Sequence, residues 1–274
     1  MTAPPDEQVS ALRAWAELSA RTDPRRRRFG ARQHDYQWRA PLAEARVVAI
    51  ERQLGLGLPA SYRRLVTELG EGGVGPYYGV MPLDHPVQLA AAEGEFRSDA
   101  TDLYRGVIGL GHVGCGQIAF VVVRSADPAA GVGEVWIDAR ASDGGVVPIA
   151  PDVDVYFLAW ITALAHNQLP RAFVEPGACA LPRALSSYLA AIEARTNVSL
   201  GALDARAVRD AFAALPVDAI RCEAPGDDPF FAAGDAVDPC PSCERMLENL
   251  SGQGLSRDRV RAGGRPLPGR GSEP

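Results

Sequence analysis

Val47-Val-Ala-Ile-Glu-Arg-Gln-Leu-Gly-Leu-Gly-Leu-Pro-Ala-Ser-Tyr-Arg-Arg-Leu65 reads as two helices separated by a short break. Ala43, Val47, Ile50 and Leu54 recur at i, i+4, i+7 and i+11, the spacing of one helical face. Pro41 suits the first turn and Gly55 the end of that helix. Leu58-Pro59 restarts the chain, and Tyr62, Leu65, Val66 and Leu69 form a second apolar stripe. Gly70 stands at the C′ position, where a left-handed conformation ends many helices. Glu71-Gly72-Gly73 and Gly75-Pro76 then form a turn-rich loop, in which Gly72 and Gly73 allow positive φ.

Downstream the period changes to that of strands. Tyr77 to Leu83 reads as a first strand, residues 86–97 as a short Ala-rich helix, and Val107 to Leu110 as a strand start. Ile118-Ala-Phe-Val-Val-Val123 is apolar on both faces, as expected of a central strand. Glu134 to Asp138 and Val146 to Ile149 follow as strands, and Pro148 puts the last at an edge. Phe157, Leu158, Ile161, Leu164 and Ala165 mark a closing helix. Helices, then a meander, then a helix predict an α+β fold. Two N-terminal helices would pack on a mostly antiparallel sheet, followed by a helical C-terminal extension.

Upstream, residues 6–20 form an amphipathic pattern with Val9, Leu12, Trp15 and Ala16 on one side. The run Arg25 to Arg28 follows, and mutual repulsion there predicts an extended, solvated linker. No aromatic interleaving accompanies it, which disfavours nucleic acid as its partner. Beyond Leu169-Pro170 come helical stripes, then Pro239-Cys-Pro-Ser-Cys243 and a short helix. The expected division is 1–37, a helix and Arg-rich linker; 38–168, the α+β domain; 169–251, the helical extension; and 252–274, a tail whose composition predicts disorder.

The 274 residues are 47% hydrophobic and 23% charged, ordinary for a soluble globular protein. Apolar runs are too short to span a bilayer, and the polar N-terminus does not read as a signal peptide. All 28 basic residues are arginine. Residues 1–70 carry a net +4, residues 71–165 carry 4 arginines against 12 acids for a net −8, and residues 166–274 carry −2. An acidic middle suits a basic partner. Five cysteines (115, 179, 222, 240 and 243) argue for a reducing, cytoplasmic setting rather than a disulfide framework.

Three groups of residues, in this order, resemble a known family. They are the stretch from Val47 to Val66 with its Gly72-Gly73 turn, the Gly116-Gln-Ile-Ala-Phe120 and Gly133-Glu-Val-Trp-Ile-Asp138 pair, and Tyr156-Phe-Leu-Ala-Trp160. Together they are similar to the SUKH superfamily, the Smi-one/Knr-four type of domain, over roughly residues 38–168. Glu71 stands where that family often has Asn. The resemblance implies a non-enzymatic binding module of the bacterial immunity type, which neutralises a cognate toxin. On that reading an acidic, aromatic-rich face would cover a basic toxin domain. Tyr77, Tyr78, Asp84, Glu134, Trp136, Asp138 and Asp143 are the expected interface, with ordinary core packing as the alternative for Trp136 and Tyr78.

Chemical motifs are few. Gly109-Leu-Gly-His-Val-Gly114 matches the dinucleotide spacing, but the strand-like Gln117 to Val123 follows where a helix is needed to hold a pyrophosphate. His34, His85, His112 and His166 stand in no metal-protease pattern. Cys240-Pro-Ser-Cys243 places two thiolates at zinc-binding spacing. With Cys222, and Cys179 as a further candidate, it suits a structural zinc knuckle. It also resembles half of a zinc-dependent nucleobase deaminase site, the alternative function. Glu223 directly follows Cys222, however, and Ala224 stands where the catalytic Glu is needed. Ordinary thiols without metal are the third reading.

Overall fold

A computed structural model describes residues 5–26, 28–140, 144–165, 206, 209–210, 213–214, 220–221, 238–252, 255 and 260–261. The helices are α1 (Pro5–Thr22), α2 (Ala31–His34), α3 (Glu44–Leu54), α4 (Ala60–Arg64), α5 (Pro86–Ala91), α6 (Val153–Ala165) and α7 (Pro241–Ser251). The strands are β1 (Val107–Gly114), β2 (Gln117–Val122), β3 (Val135–Asp138), β4 (Val146–Ala150) and the short β5 (Ile220–Arg221) and β6 (Val260–Arg261). Strands β1 to β4 form an antiparallel sheet in chain order, so the fold is α+β.

The helix pair reads out of the sequence almost residue by residue. Val47, Ile50 and Leu54 are the buried face of α3, and Gly55 caps it at φ +65°. Helix α4 begins after Pro59 and widens into a π-turn over Leu65–Leu69, with Leu65, Val66 and Leu69 buried. Within α4 stands Tyr62, fully buried, with its hydroxyl unpartnered among the described residues. A buried hydroxyl without a partner costs about 1–3 kcal/mol. Tyr62→Phe is therefore expected to raise the urea midpoint, by about 1 kcal/mol in stability. A lowered midpoint would show that the hydroxyl has a stabilising partner.

Strand β2 is central, as its apolar sequence requires. Ala119 and Val121 join the helix-side core with Ile50, Tyr62 and Phe157. Phe120 and Val122 face a second cluster with Phe96, Leu103 and Trp136. The chain from Ala91 to Val107 contributes to that second cluster, so both faces of β2 are dry. Strand β4 lies at the edge, where Pro148 has no ladder bond to lose. The other edge, β1, is tied by Gln88 of α5: its amide donates to the Gly109 carbonyl at 2.8 Å and accepts from the Gly109 N–H at 2.7 Å.

Three segments differ from the sequence reading. Tyr77 to Leu83 is no strand; it makes a single bridge, Val80 to Gly73, and two isolated bonds to β1, from Tyr78 N–H to the His112 carbonyl and from Met81 N–H to the Leu110 carbonyl. Tyr77 at φ +56° and Gly79 at φ +100° turn the chain, and Pro82 has no N–H to continue a ladder. The arginine run is no extended linker. Arg26 turns at φ +51°, pairs with Asp35 and lies 5.4 Å over the Tyr36 ring, while the Arg28 N–H donates to Asp23 at 3.0 Å. The expected disordered tail contains Leu255, buried in the main core, and β6, which pairs in parallel with β5. Helix α1 also adds to the main core, through Ala16 and a Trp15–Trp160 edge contact at 4.7 Å.

Candidate functional site

The residues expected at an interface divide into three groups. Tyr77 and Tyr78 pack around Phe29, at ring separations of 6.3 and 4.9 Å. Tyr77 is buried, and the Tyr78 hydroxyl donates to the Pro239 carbonyl, so the chain's own C-terminal segment lies against this pair. Trp136 is buried in the second cluster, and its indole N–H donates to Glu134 at 3.0 Å. Asp138 is buried and accepts from Tyr104 at 2.9 Å and from Arg140 at 2.9 and 3.0 Å. Of the expected contacts, Tyr77, Trp136 and Asp138 thus act inside the fold. Asp84 is at the surface, paired with Arg46. Asp143 lies outside the described residues.

The acidic surface itself has a clear structure. Asp84, Asp99 and Asp154 spend their charge on Arg46, Arg97 and Arg64. Asp127 and Glu134 instead accept from loop N–H groups, at Ala129 and Gly131, and Asp152 accepts from the Val155 N–H in the first turn of α6. Those hydrogen bonds order the loops without cancelling a charge. For Asp127 the bonds from Ser98 and Ala129 hold the carboxyl below its usual range, so it is ionised at neutral pH. Asp127 and Glu134 flank the β2–β3 connection, whose Val132 is 60% exposed.

A second arrangement joins the sheet to the C-terminal segment. Strands β1 and β2 are linked by Cys115-Gly116, with φ of +54° and +75°, so both residues turn in the left-handed region. Against this turn lies the start of α7. Cys115 N–H donates to the Asp238 carbonyl at 2.7 Å, and Cys240 N–H donates to the Cys115 sulfur at 3.2 Å. A Cβ on Gly114 would meet the Pro239 carbonyl oxygen at 2.4 Å, so only glycine admits this approach. Cys240 is the N-cap of α7, and Cys243 sits in its first turn. The sulfurs of Cys115, Cys240 and Cys243 lie within 4.8 Å of one another, and all three residues are buried.

Residues 41–159 match the model of the SMI1 / KNR4 family (SUKH-1). The chain carries a SUKH-type domain. No curated protein and no solved structure matches the chain. The matched residues span α3 to α5, the four-stranded sheet and the first half of α6; SUKH domains as a family are immunity-protein-like and generally non-enzymatic. Among the described residues no helix is long and apolar enough to cross a membrane.

Cys115 belongs to the SUKH segment, whereas Cys240 and Cys243 lie beyond it. Sequence spacing paired Cys240 with Cys243, but it did not find Cys115, which is 125 residues from Cys240. The available signal was Gly114-Cys115-Gly116, a cysteine where a tight hairpin turn favours Asn, Asp or Gly. Cys179 and Cys222 lie outside the described residues. A deaminase needs a carboxylate two residues beyond its third ligand to move protons. Beyond Cys115 that position is Gln117, an amide with no proton to exchange near neutral pH.

Proposed function

We propose that the SUKH domain binds and occludes a basic toxin domain in the cytoplasm, acting as its immunity protein. The observation that carries this reading is the net −8 of residues 71–165, held on a domain of an immunity-protein-like family. Asp127, Glu134 and Asp152 support it: their carboxylates are positioned by backbone N–H groups. Such pre-set charges steer a basic partner and lose little entropy on binding. The β2–β3 connection, with Asp127, Val132 and Glu134, is the centre of the proposed contact. Trp136 supports the connection from beneath through its bond to Glu134.

The test mixes the purified protein with the product of the adjacent reading frame. Association is expected to exceed about 10⁷ M⁻¹ s⁻¹ at low salt and to fall at least tenfold in high salt. Asp127→Asn with Glu134→Gln should slow association while circular dichroism shows the fold retained. Absence of a complex, or association indifferent to salt, would count against the proposal.

A further inference from the structure

We propose that Cys115, Cys240 and Cys243 bind one Zn²⁺ and thereby clip α7 to the turn between β1 and β2. The inference is independent of which protein the SUKH domain binds. Three observations carry it. First, three thiols converge from two distant parts of the chain to within 4.8 Å, with Cys115 and Cys243 sulfurs 3.5 Å apart. Around a tetrahedral zinc with bonds of about 2.3 Å, ligand sulfurs stand ~3.8 Å apart, so the cluster needs only a small adjustment to close on the ion. Buried cysteines that merely fill a core have no reason to converge in this way.

Second, the surroundings favour thiolate. Cys240 N–H already donates to the Cys115 sulfur, and such donors stabilise the negative charge of a metal-bound thiolate. Cys240 and Cys243 lie at the N-terminus of an 11-residue helix, whose dipole acts in the same direction. Third, Cys115 occupies a left-handed turn position at φ +54°, where a non-glycine residue is strained. The strain is understandable if the thiol is what the turn must present.

The stoichiometry is simple. Three thiols lose three protons as one divalent zinc binds, and no oxidant or reductant takes part. Thiolates favour zinc over calcium or magnesium, which take oxygen donors. Three thiolates leave the fourth tetrahedral position to a donor that the described residues do not supply. Because Cys115 lies in the sheet and the other two at the start of α7, the ion would join segments more than a hundred residues apart. Leu247 of α7 and Leu255 beyond it, both in the main core, already hold this region against the domain.

The test starts with the intact wild-type chain. After expression in zinc-supplemented medium it is expected to hold close to one equivalent of zinc. Cobalt substituted for zinc should show a sulfur-to-metal charge-transfer band. Cys115→Gly, which suits the turn conformation, and Cys240→Ser should each bring the zinc content below a tenth of an equivalent. Chelation should speed hydrogen exchange in 241–251 at least tenfold while β2 keeps its protection. Wild type that takes up no zinc overturns the proposal without any variant. Full zinc retained by Cys115→Gly overturns it too, since a site built on Cys240, Cys243 and other ligands would behave so. A disulfide among Cys115, Cys240 and Cys243, mapped by peptide mass in unreduced protein, would overturn it as well.

Discussion

Gly73→Ala is expected to cost the fold about 4 kcal/mol, enough to unfold much of the chain at moderate temperature. Two effects add. Gly73 has φ +96°, which L-residues rarely adopt, at about 1–2 kcal/mol. A Cβ there would also stand 2.2 Å from the Gln37 carbonyl oxygen and 3.1 Å from the Arg39 nitrogen, so two backbone segments must separate. The segments are joined where Val74 N–H donates to Gln37 at 2.8 Å and Gly73 exchanges bonds with Val80 at 2.8 and 3.0 Å. Overpacking a site that cannot yield costs a further 1–3 kcal/mol or so. Gly55→Ala is the control: its φ is +65°, but no atom lies within 4 Å of the added methyl. It should cost only the conformational part, about 1 kcal/mol. Equal urea midpoints for the two variants would show that the Gln37–Gly73 crossing is not close-packed.

Stability is expected to fall by roughly 4 kcal/mol between pH 7 and pH 5, because two histidines are buried uncharged. Burial lowers His34 to about 3; the nearby Asp35 opposes this and Arg26 adds to it. Burial alone lowers His112 to about 3. In the unfolded chain both titrate near 6.5. Between these values the unfolded state holds protons that the folded state refuses. Each histidine's contribution is therefore complete above about pH 6.5 and is lost, at ~1.4 kcal/mol per pH unit, as pH falls toward 3. His34 cannot simply reorient, since its Nδ1 accepts the Tyr36 N–H at 3.1 Å and its ring packs on Tyr36 and Trp160. Urea unfolding of chelator-treated protein at pH 7 and pH 5 measures the effect. His34→Gln and His112→Gln should each remove about half of the difference. A wild-type chain equally stable at both values would mean that both rings are hydrated.

The periodic elements were legible in the chain itself. Val47, Ile50 and Leu54 could bury together only on a helix, and Phe120 between Ala119 and Val121 could be dry on both faces only in a central strand. Gly55 and Pro148 marked a helix end and a sheet edge for reasons local to their own backbones. Function was legible to the level of the family, because the order of these elements is what the SUKH resemblance rests on. Tertiary contact decided the rest. Whether Tyr77, Trp136 and Asp138 face solvent depends on Phe29, Phe96 and Tyr104, residues 34 to 48 positions away, which no local pattern relates to them. The arginine run folds into a turn because Asp23, Asp35 and Tyr36 surround it, a compensation that repulsion between neighbours does not reveal. Cys115 meets Cys240 and Cys243 only because a two-residue hairpin turn and the start of α7 dock together. Spacing along the chain reports ligands on one element; ligands shared between elements are set by how those elements pack.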